Sequence, residues 1–179
     1  MNIYKFILYK ILGWKIIGDF KEKELKKVII IVAPHTSWSD FYIAILCRKA
    51  IGIMVNFVGK KELFVWPFGY YFRWVGGAPL DRSTKQNKVE AIASIFNSKE
   101  EFRLGMSPEG TRKKVEVWRT GFYYISLAAK VPIMPVSMDY KTKIVTIGNP
   151  FYPTGAIESD IIKLKEFYEG TVGKVAKFT

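Results

Sequence analysis

The sequence is poor in the residues that build metal sites and disulfides. Its 179 residues include one histidine, His35, and one cysteine, Cys47. A single cysteine excludes an internal disulfide, and with a single histidine no zinc site of the usual ligand pattern can be built. Because Cys47 lies in the apolar run FYIAILCRK, we expect it to be a buried thiol with a structural role.

Long uncharged stretches are also missing. The longest, residues 144–157, is broken by two glycines and two prolines, whereas a membrane-spanning helix needs roughly 20 mainly apolar residues. The first twenty residues are hydrophobic but contain three lysines, and no small-residue cleavage site follows, so they predict neither a spanning segment nor a signal peptide. Aromatic residues among those lysines favour a helix over residues 1–20 that associates with a membrane. The alternative is a helix packed on the protein's own core.

Acidic residues are few compared with basic ones. The sequence has 28 Lys and Arg against 16 Asp and Glu, a net charge of +12. This excess indicates an anionic partner, which could be nucleic acid, an anionic membrane surface or a phosphate-bearing substrate, although a merely basic surface would also agree with it. The aromatic residues cluster with aliphatic ones instead of alternating with lysines, and no known nucleic-acid motif is present. We therefore expect no nucleic-acid partner and keep a basic nucleic-acid-binding module as the weaker alternative.

Short apolar runs alternate with segments of helical periodicity. The run KKVIIIVA (residues 26–33) predicts a strand that is buried on both faces. Several such strands alternating with helices predict an α/β fold, with a central mixed sheet flanked by helices. We expect the N-terminal helix over residues 1–20 and a single domain over residues 21–179.

Three polar clusters each follow a strand-like run: HTSWSD (35–40), GAPLDRS (77–83) and SPEGTR (107–112). Loops at the carboxyl ends of strands are where α/β proteins bind ligands, so the three are expected to converge on one crevice. If the chain turns after His35 and Asp40 opens a helix, the carboxylate can accept a hydrogen bond from one ring nitrogen, leaving the other as a base. A polar loop without chemistry is the alternative.

The second and third clusters supply groups that suit a phosphate. Arg82 and Arg112 offer planar guanidinium groups, and Gly110 lets the backbone approach a ligand closely. Glu109 can bond to hydroxyl groups. Two arginines in loops near the only histidine predict a phosphate pocket.

These clusters resemble the motifs of the glycerolipid acyltransferase family, which includes bacterial 1-acylglycerol-3-phosphate acyltransferases. HTSWSD resembles the family's H-x4-D motif, GGAPLDRS its block ending in Asp-Arg, SPEGTR its Pro-Glu-Gly-Thr-Arg block, and VPIMPVS (131–137) its late Val-Pro-x-x-Pro block. One departure is Pro34, at a position where the family often has Asn. The resemblance implies a glycerol-phosphate acyltransferase-like fold.

The resemblance also implies transfer of an acyl group from acyl-CoA or an acyl carrier protein thioester to a lysolipid hydroxyl. The expected acceptor is 1-acylglycerol-3-phosphate, and a lyso-aminolipid or another hydroxylated lipid is the alternative. By position, His35 is the general base and Asp40 its partner. The residues that would bind the acceptor or its phosphate are Asp81, Arg82, Glu109, Gly110, Thr111 and Arg112. Pro132 and Pro135 would form the wall near the acyl donor.

Since a thioester is already activated, no bound cofactor or metal is expected. The thioester donors are cytosolic, so the resemblance implies a peripheral or monotopic enzyme on the cytoplasmic face of the cell membrane. The absence of a G-x-S-x-G motif argues against an ordinary serine hydrolase. A lipid-binding protein with an inactive acyltransferase fold is a further alternative.

The segment 64–74 is unusually aromatic, with seven aromatic residues among eleven. This is more than a core helix needs. We hypothesise that part of the segment, with Trp66 and Phe68, docks at the bilayer interface and opens into an acyl-chain groove.

Overall fold

The computed structural model describes residues 2–20, 25–80 and 88–179, and these form a seven-stranded sheet with helices on both faces. The strands are β1 (Lys15–Ile17), β2 (Lys27–Ala33), β3 (Asn56–Lys60), β4 (Gly77–Leu80), β5 (Phe102–Met106), β6 (Ile133–Asp139) and β7 (Ile144–Ile147). The α-helices are α1 (Ile3–Phe6), α2 (Ser39–Ile51), α3 (Phe68–Trp74), α4 (Lys88–Ser98), α5 (Gly121–Ala129) and α6 (Ile157–Glu166). A π-helical turn (Ile7–Ile11) and 3-10 turns (Lys61–Phe64 and Ala176–Phe178) complete the described elements.

The order of the strands is β1-β7-β6-β2-β5-β3-β4, and the pairing is parallel except between β6 and β7. The predicted mixed sheet is therefore confirmed. Because β2 lies between β5 and β6 and is parallel to both, the carboxyl ends of all three strands meet at one edge of the sheet. The loops after β2 and β5 start side by side, with Ile31 opposite Met106.

The uninterrupted apolar run of β2 is explained by its position in the middle of the sheet. Val28 and Ile30 pack into a cluster that includes the buried face of α2, whereas Ile29 and Ile31 pack into a second cluster with α4 and α5. A strand that is covered on both faces needs no polar alternation. Cys47 of α2 belongs to the first cluster, and burial raises the pKa of its thiol to about 12, which confirms the expected buried thiol.

The prediction of one helix over residues 1–20 is wrong in its extent. The π-helical turn after α1 ends at Ile11, and Gly13 then adopts φ +72°, a left-handed conformation that ends helices and favours glycine. Residues Lys15–Ile17 are β1, paired with β7 in the sheet. Leu8 and Trp14 are buried in the core, so this segment is built into the domain.

Part of the N-terminal segment nevertheless remains on the surface. Its exposed large apolar side chains are Ile3, Phe6, Ile11 and Ile17. Within the described ranges, none of the helices combines the length and the apolar character needed to cross a bilayer. Association of this segment with a membrane stays a prediction.

Candidate active site

The loop after β2 brings the only histidine against a carboxylate. His35 follows the end of β2 by two residues, and α2 begins at Ser39, so that Asp40 lies in the first turn of the helix. The distance from His35 Nδ1 to Asp40 Oδ2 is 3.0 Å. The predicted contact is therefore present. Asp40 is only 2% exposed, whereas the imidazole is 30% exposed and remains open to a ligand.

Asp40 is held by hydrogen bonds on both carboxylate oxygens. Oδ2 also accepts the backbone N–H groups of Thr36 at 2.8 Å and Ser37 at 2.9 Å. Oδ1 accepts the hydroxyl of Tyr140 at 2.7 Å. Burial alone would raise the pKa of Asp40, but the hydrogen bonds from His35, Tyr140 and Ser37 outweigh burial and hold the pKa below its ordinary value.

The ionised state of Asp40 determines the tautomer of the imidazole. A carboxylate without a proton can only accept hydrogen bonds, so His35 Nδ1 must carry the hydrogen in this contact. The Nε2 atom of a neutral imidazole then keeps its lone pair. This arrangement leaves Nε2 able to take a proton from a bound hydroxyl group.

Glu109, in the loop after β5, fixes the backbone of the histidine. Its Oε2 accepts the backbone N–H of His35 at 2.7 Å and lies 3.4 Å from the hydroxyl of Ser107. The side chain is 8% exposed, and burial raises its pKa above the ordinary value despite the opposing contacts with His35. The sequence suggested that Glu109 bonds to hydroxyl groups of a ligand; the contact with the His35 backbone was not predicted.

Gly110 is constrained by both its backbone and its neighbour. Its φ is +64°, and a Cβ atom there would lie 2.6 Å from the side chain of Arg119. The N–H of Arg119 donates to the carbonyl oxygen of Pro108 at 2.7 Å, which keeps the arginine on this loop. Arg119 is a cation beside the site, and no sequence motif marked it in advance.

Arg112 lies over the indole ring of Trp38, with its Cζ 4.5 Å from the ring centroid. A guanidinium stacked on an indole is a favourable cation–π contact that also orients its N–H groups. Both residues line the same cavity as His35. Thr111 is half-buried and its hydroxyl accepts the N–H of Lys113 at 3.4 Å.

Two of the three predicted loops are thus brought together. The third begins at the end of β4, and its predicted ligand-binding residues, Asp81 and Arg82, lie outside the described residues. Tyr140 was not predicted as a site residue, because it does not belong to any of the three polar clusters that follow strands. It directly follows β6, whose carboxyl end is at the same edge of the sheet as that of β2.

An apolar cavity of about 350 Å³ extends from this pair between α2 and the sheet. Its lining includes Asp40 near the start of α2 and Ile51 at its end, a span of roughly 16 Å at 1.5 Å per residue. Further lining residues are Phe41, Ala44, Ile45, Val58, Leu63 and Phe72. A base at one end of a long apolar cavity suits a ligand with a reactive head and a hydrocarbon chain.

Arg48 is the charged exception in the cavity wall. It is 5% exposed, and its Nη1 donates to the carbonyl oxygen of Val55 at 2.5 Å. Within the described part of the chain, its Nε and Nη2 atoms are buried without a hydrogen-bond partner.

In the aromatic segment a 3-10 turn ends at Phe64 and α3 begins at Phe68. Leu63 and Phe72 line the cavity, whereas Trp66 and Phe68 do not. These two flank Pro67 at the corner between the turn and the helix, where their side chains are 82% and 67% exposed. Trp66 and Phe68 thus lie outside this cavity, and their exposure agrees with a surface role. Their assignment to the acyl-chain region stays a prediction.

The two prolines predicted for the donor wall do not reach this cavity either. Pro135 lies in β6 between Met134 and Val136, both of which pack into the α2 cluster. Since side chains alternate along a strand, Pro135 faces the opposite side of the sheet, where its Cγ approaches Gly148. Pro132, just before β6, is buried, and its carbonyl oxygen accepts the N–H of Ile29.

Comparison with known proteins gives consistent matches. A family model described as acyltransferase matches residues 17–139. The 1-acyl-sn-glycerol-3-phosphate acyltransferase of Streptococcus pneumoniae is 33% identical over 138 residues, which are 73% of this chain and 51% of that protein. The protein with the same name from Saccharomyces cerevisiae is 26% identical over 172 residues, 92% of this chain and 55% of that protein. The chain thus spans about half the length of these two curated relatives.

Among solved structures, the chain is similar to the 1-acyl-sn-glycerophosphate (LPA) acyltransferase, PlsC, from Thermotoga maritima. The TM-score is 0.62 at 22% sequence identity, and the match covers 92% of this chain and 77% of that one. At this level of identity the likeness shows a shared fold.

Proposed function

The chain belongs to the acyltransferase family, and from this premise we propose that it transfers a fatty acyl group from a thioester to the hydroxyl of 1-acylglycerol-3-phosphate. The observation that carries the proposal is the His35–Asp40 pair at one end of the apolar cavity. A hydroxyl acceptor needs a base, and a fatty acyl donor needs room for its chain. Both are present within one site.

In the proposed reaction, His35 Nε2 takes the hydroxyl proton of the acceptor while the hydroxyl oxygen attacks the thioester carbonyl carbon. The tetrahedral intermediate then collapses, the carbon–sulfur bond breaks, and the thiolate leaves with the proton from the imidazolium. The products are an ester and a free thiol. Asp40 stabilises the imidazolium that forms, and general-base catalysis of this kind contributes about 10²- to 10⁴-fold in rate.

The donor would be acyl-CoA or an acyl carrier protein thioester, with its fatty chain in the cavity along α2. Both kinds of donor carry negative charge, which suits a protein with a net charge of +12. The cavity and the net charge suit acyl-CoA and an acyl carrier protein thioester equally, so both donors belong in the assay.

The phosphate of the acceptor would bind near Arg112, which lines the cavity beside His35 and is oriented by Trp38. Arg119 adds a second cation on the loop that carries Gly110. A lyso-aminolipid has no phosphate for these arginines, so an acceptor with a phosphate group is favoured.

We also propose that the enzyme acts on an anionic membrane surface, on its cytoplasmic side. Its aromatic segment carries five exposed aromatic side chains: Trp66, Phe68, Tyr70, Tyr71 and Trp74. Lys49 lies over the ring of Trp74, a mixture of ring and cation that suits the headgroup level of a bilayer. In the same helix, Phe72 reaches the cavity wall, so the membrane-facing segment would adjoin the acyl chain.

The test is release of free thiol from palmitoyl-CoA and from palmitoyl-acyl carrier protein. Each donor is offered with lysophosphatidate and with a panel of lyso-aminolipids, and the acylated product is identified by mass spectrometry. Wild type is expected to release thiol only with an acceptor, and His35→Ala to lose this activity by about 10²-fold or more while keeping its circular dichroism spectrum. Equal release by both proteins would contradict the role of His35. Lipid binding without thiol release would favour the non-catalytic alternative.

A further inference from the structure

Tyr140 contacts the carboxylate oxygen of Asp40 that the histidine does not contact. Its hydroxyl donates to Asp40 Oδ1 at 2.7 Å, and the hydroxyl oxygen of Ser39 lies 3.1 Å from it. The other carboxylate oxygen, Oδ2, is the one that receives His35. Tyr140 and His35 therefore contact different oxygens of Asp40.

Tyr140 itself is held by segments far away in the sequence. The ring of Trp14 packs edge-on against it, with 4.8 Å between the centroids and an interplanar angle of 88°. Its backbone N–H donates to the carbonyl oxygen of Val172 at 2.8 Å, and Lys174 Nζ lies 5.5 Å from the ring centroid. Residues from the beginning and the end of the described chain thus fix the position of this hydroxyl.

Because Tyr140 and His35 bind different oxygens of Asp40, the carboxylate is held in one rotational position. With Tyr140 on Oδ1, the Oδ2 atom is directed at the imidazole and at the two backbone N–H groups of Thr36 and Ser37. Without the tyrosine hydroxyl, Oδ1 would be buried without this donor. The carboxylate would then be free to rotate towards another donor, and its hold on the tautomer of His35 would weaken.

We propose that Tyr140 is a positioning residue, which fixes the Asp40 carboxylate and through it the tautomer and orientation of His35. The inference rests on the proposed function for its kinetic consequence, but the tautomer itself is a property of the protein without substrate. The charged or titratable groups around the pair are Glu109 on the loop after β5, Arg112 at the cavity, and Lys174 over the tyrosine ring.

The test uses Tyr140→Phe, which keeps the ring and removes only the hydroxyl. Because the protein has a single histidine, nitrogen NMR of histidine-labelled protein reports this one imidazole without assignment. We expect the hydrogen on Nδ1 in wild type and a mixture of tautomers in Tyr140→Phe. In the acyl-transfer assay we expect kcat to fall about tenfold with KM for both substrates within twofold, the size expected for one lost hydrogen bond to a charged group.

A second kinetic readout is the pH profile. A carboxylate that is free to rotate stabilises the neighbouring imidazolium less, so the acid limb of kcat/KM should move to lower pH in Tyr140→Phe. A merely structural role would lower the amount of folded protein without moving this limb.

Tyr123→Phe is the matched control. The Tyr123 hydroxyl donates to the buried carboxylate of Asp160 at 2.8 Å, the same chemical pair in the other core cluster. This variant should lose thermal stability to a similar degree but keep the tautomer, kcat and the pH profile of wild type.

The outcomes separate the two proposals. A wild-type tautomer spectrum in folded Tyr140→Phe would overturn the positioning role, as would equal losses of kcat in both tyrosine variants. If wild type transfers no acyl group to any acceptor, the proposed function fails, while the NMR comparison still decides whether Tyr140 positions the histidine.

Discussion

Replacing Asp40 with Asn isolates the negative charge behind the histidine. An Asn side chain has the same shape, and its carbonyl oxygen can replace Oδ2 as acceptor of the N–H groups of Thr36 and Ser37. Its NH₂ group would then face Tyr140, whose hydroxyl has Ser39 as an alternative partner at 3.1 Å. The geometry of the loop should therefore survive while the charge is removed.

The size of the effect follows from the distance between the two groups. At the observed 3.0 Å between Asp40 Oδ2 and His35 Nδ1, two full charges in an effective dielectric of about 20 attract by roughly 5.5 kcal/mol. If about half of a proton charge has moved to the imidazole in the transition state, the stabilisation lost is roughly 2.8 kcal/mol. Such a loss corresponds to a decrease in kcat of about 10²-fold.

The assay is thiol release at saturating donor and acceptor, with thermal unfolding of each variant measured in parallel. Asp160→Asn is the matched control, because Asp160 is equally buried and receives Tyr123 and Thr154 on the other side of the sheet. It should lose stability and keep kcat. A folded Asp40→Asn variant with kcat within threefold of wild type would refute the reasoning that this carboxylate stabilises a developing imidazolium.

Three further predictions concern other parts of the molecule. Burial raises the pKa of Glu109 above its unfolded value, so the ionised carboxylate destabilises the fold at high pH, and this destabilisation disappears as pH falls through the folded pKa. Glu109→Gln should therefore raise Tm at about pH 8 but not at about pH 4. An equal change in Tm at both pH values would contradict this prediction. The double replacement of Trp66 and Phe68 by Ser should weaken binding to anionic vesicles in a sedimentation assay. Tyr152→Ser, which changes an exposed ring outside the aromatic segment, should leave this binding unchanged. Unchanged binding of the double variant would exclude membrane docking by this segment. Two guanidinium nitrogens of Arg48 lack partners among the described residues. Arg48→Met should therefore either increase the free energy of unfolding, measured by urea denaturation, or lower it by less than about 1 kcal/mol. A decrease of more than about 3 kcal/mol would show that the charge is needed for stability.

The parts of the fold that were predictable are those with a strong local pattern. Residues 28–33 of β2 are all apolar because both faces of the strand are covered, and α4 carries Ile92, Ala93 and Phe96 at helical spacing on its buried face. The contact between His35 and Asp40 was also predictable, because a turn followed by a helix start is a local event over six residues. β1 was not, since three residues at the edge of a sheet, with alternately exposed side chains, give almost no periodic signal.

The contacts that complete the site depend on tertiary placement. Tyr140 is 100 positions from Asp40, and Glu109 is 74 positions from His35. Nothing in the local pattern around either residue indicates which partner it will meet, because that depends on the order of strands in the sheet. The same limit applies to Trp66 and Phe68, because an aromatic composition is compatible with either a cavity wall or an exposed corner.

The pairing of β1 with β7 makes completion of the sheet depend on a strand that is synthesised much later than its partner. Lys15 is opposite Ile144 in this pairing, so roughly 130 residues must be synthesised between the two strands, which takes on the order of 6–25 s at usual elongation rates. During that interval Leu8 and Trp14 have no finished sheet to pack on. The contact between Trp14 and Tyr140 has the same long separation, and it forms only when the chain closes on itself. A nascent chain would therefore acquire an ordered His35–Asp40 pair late, after its central strands have assembled.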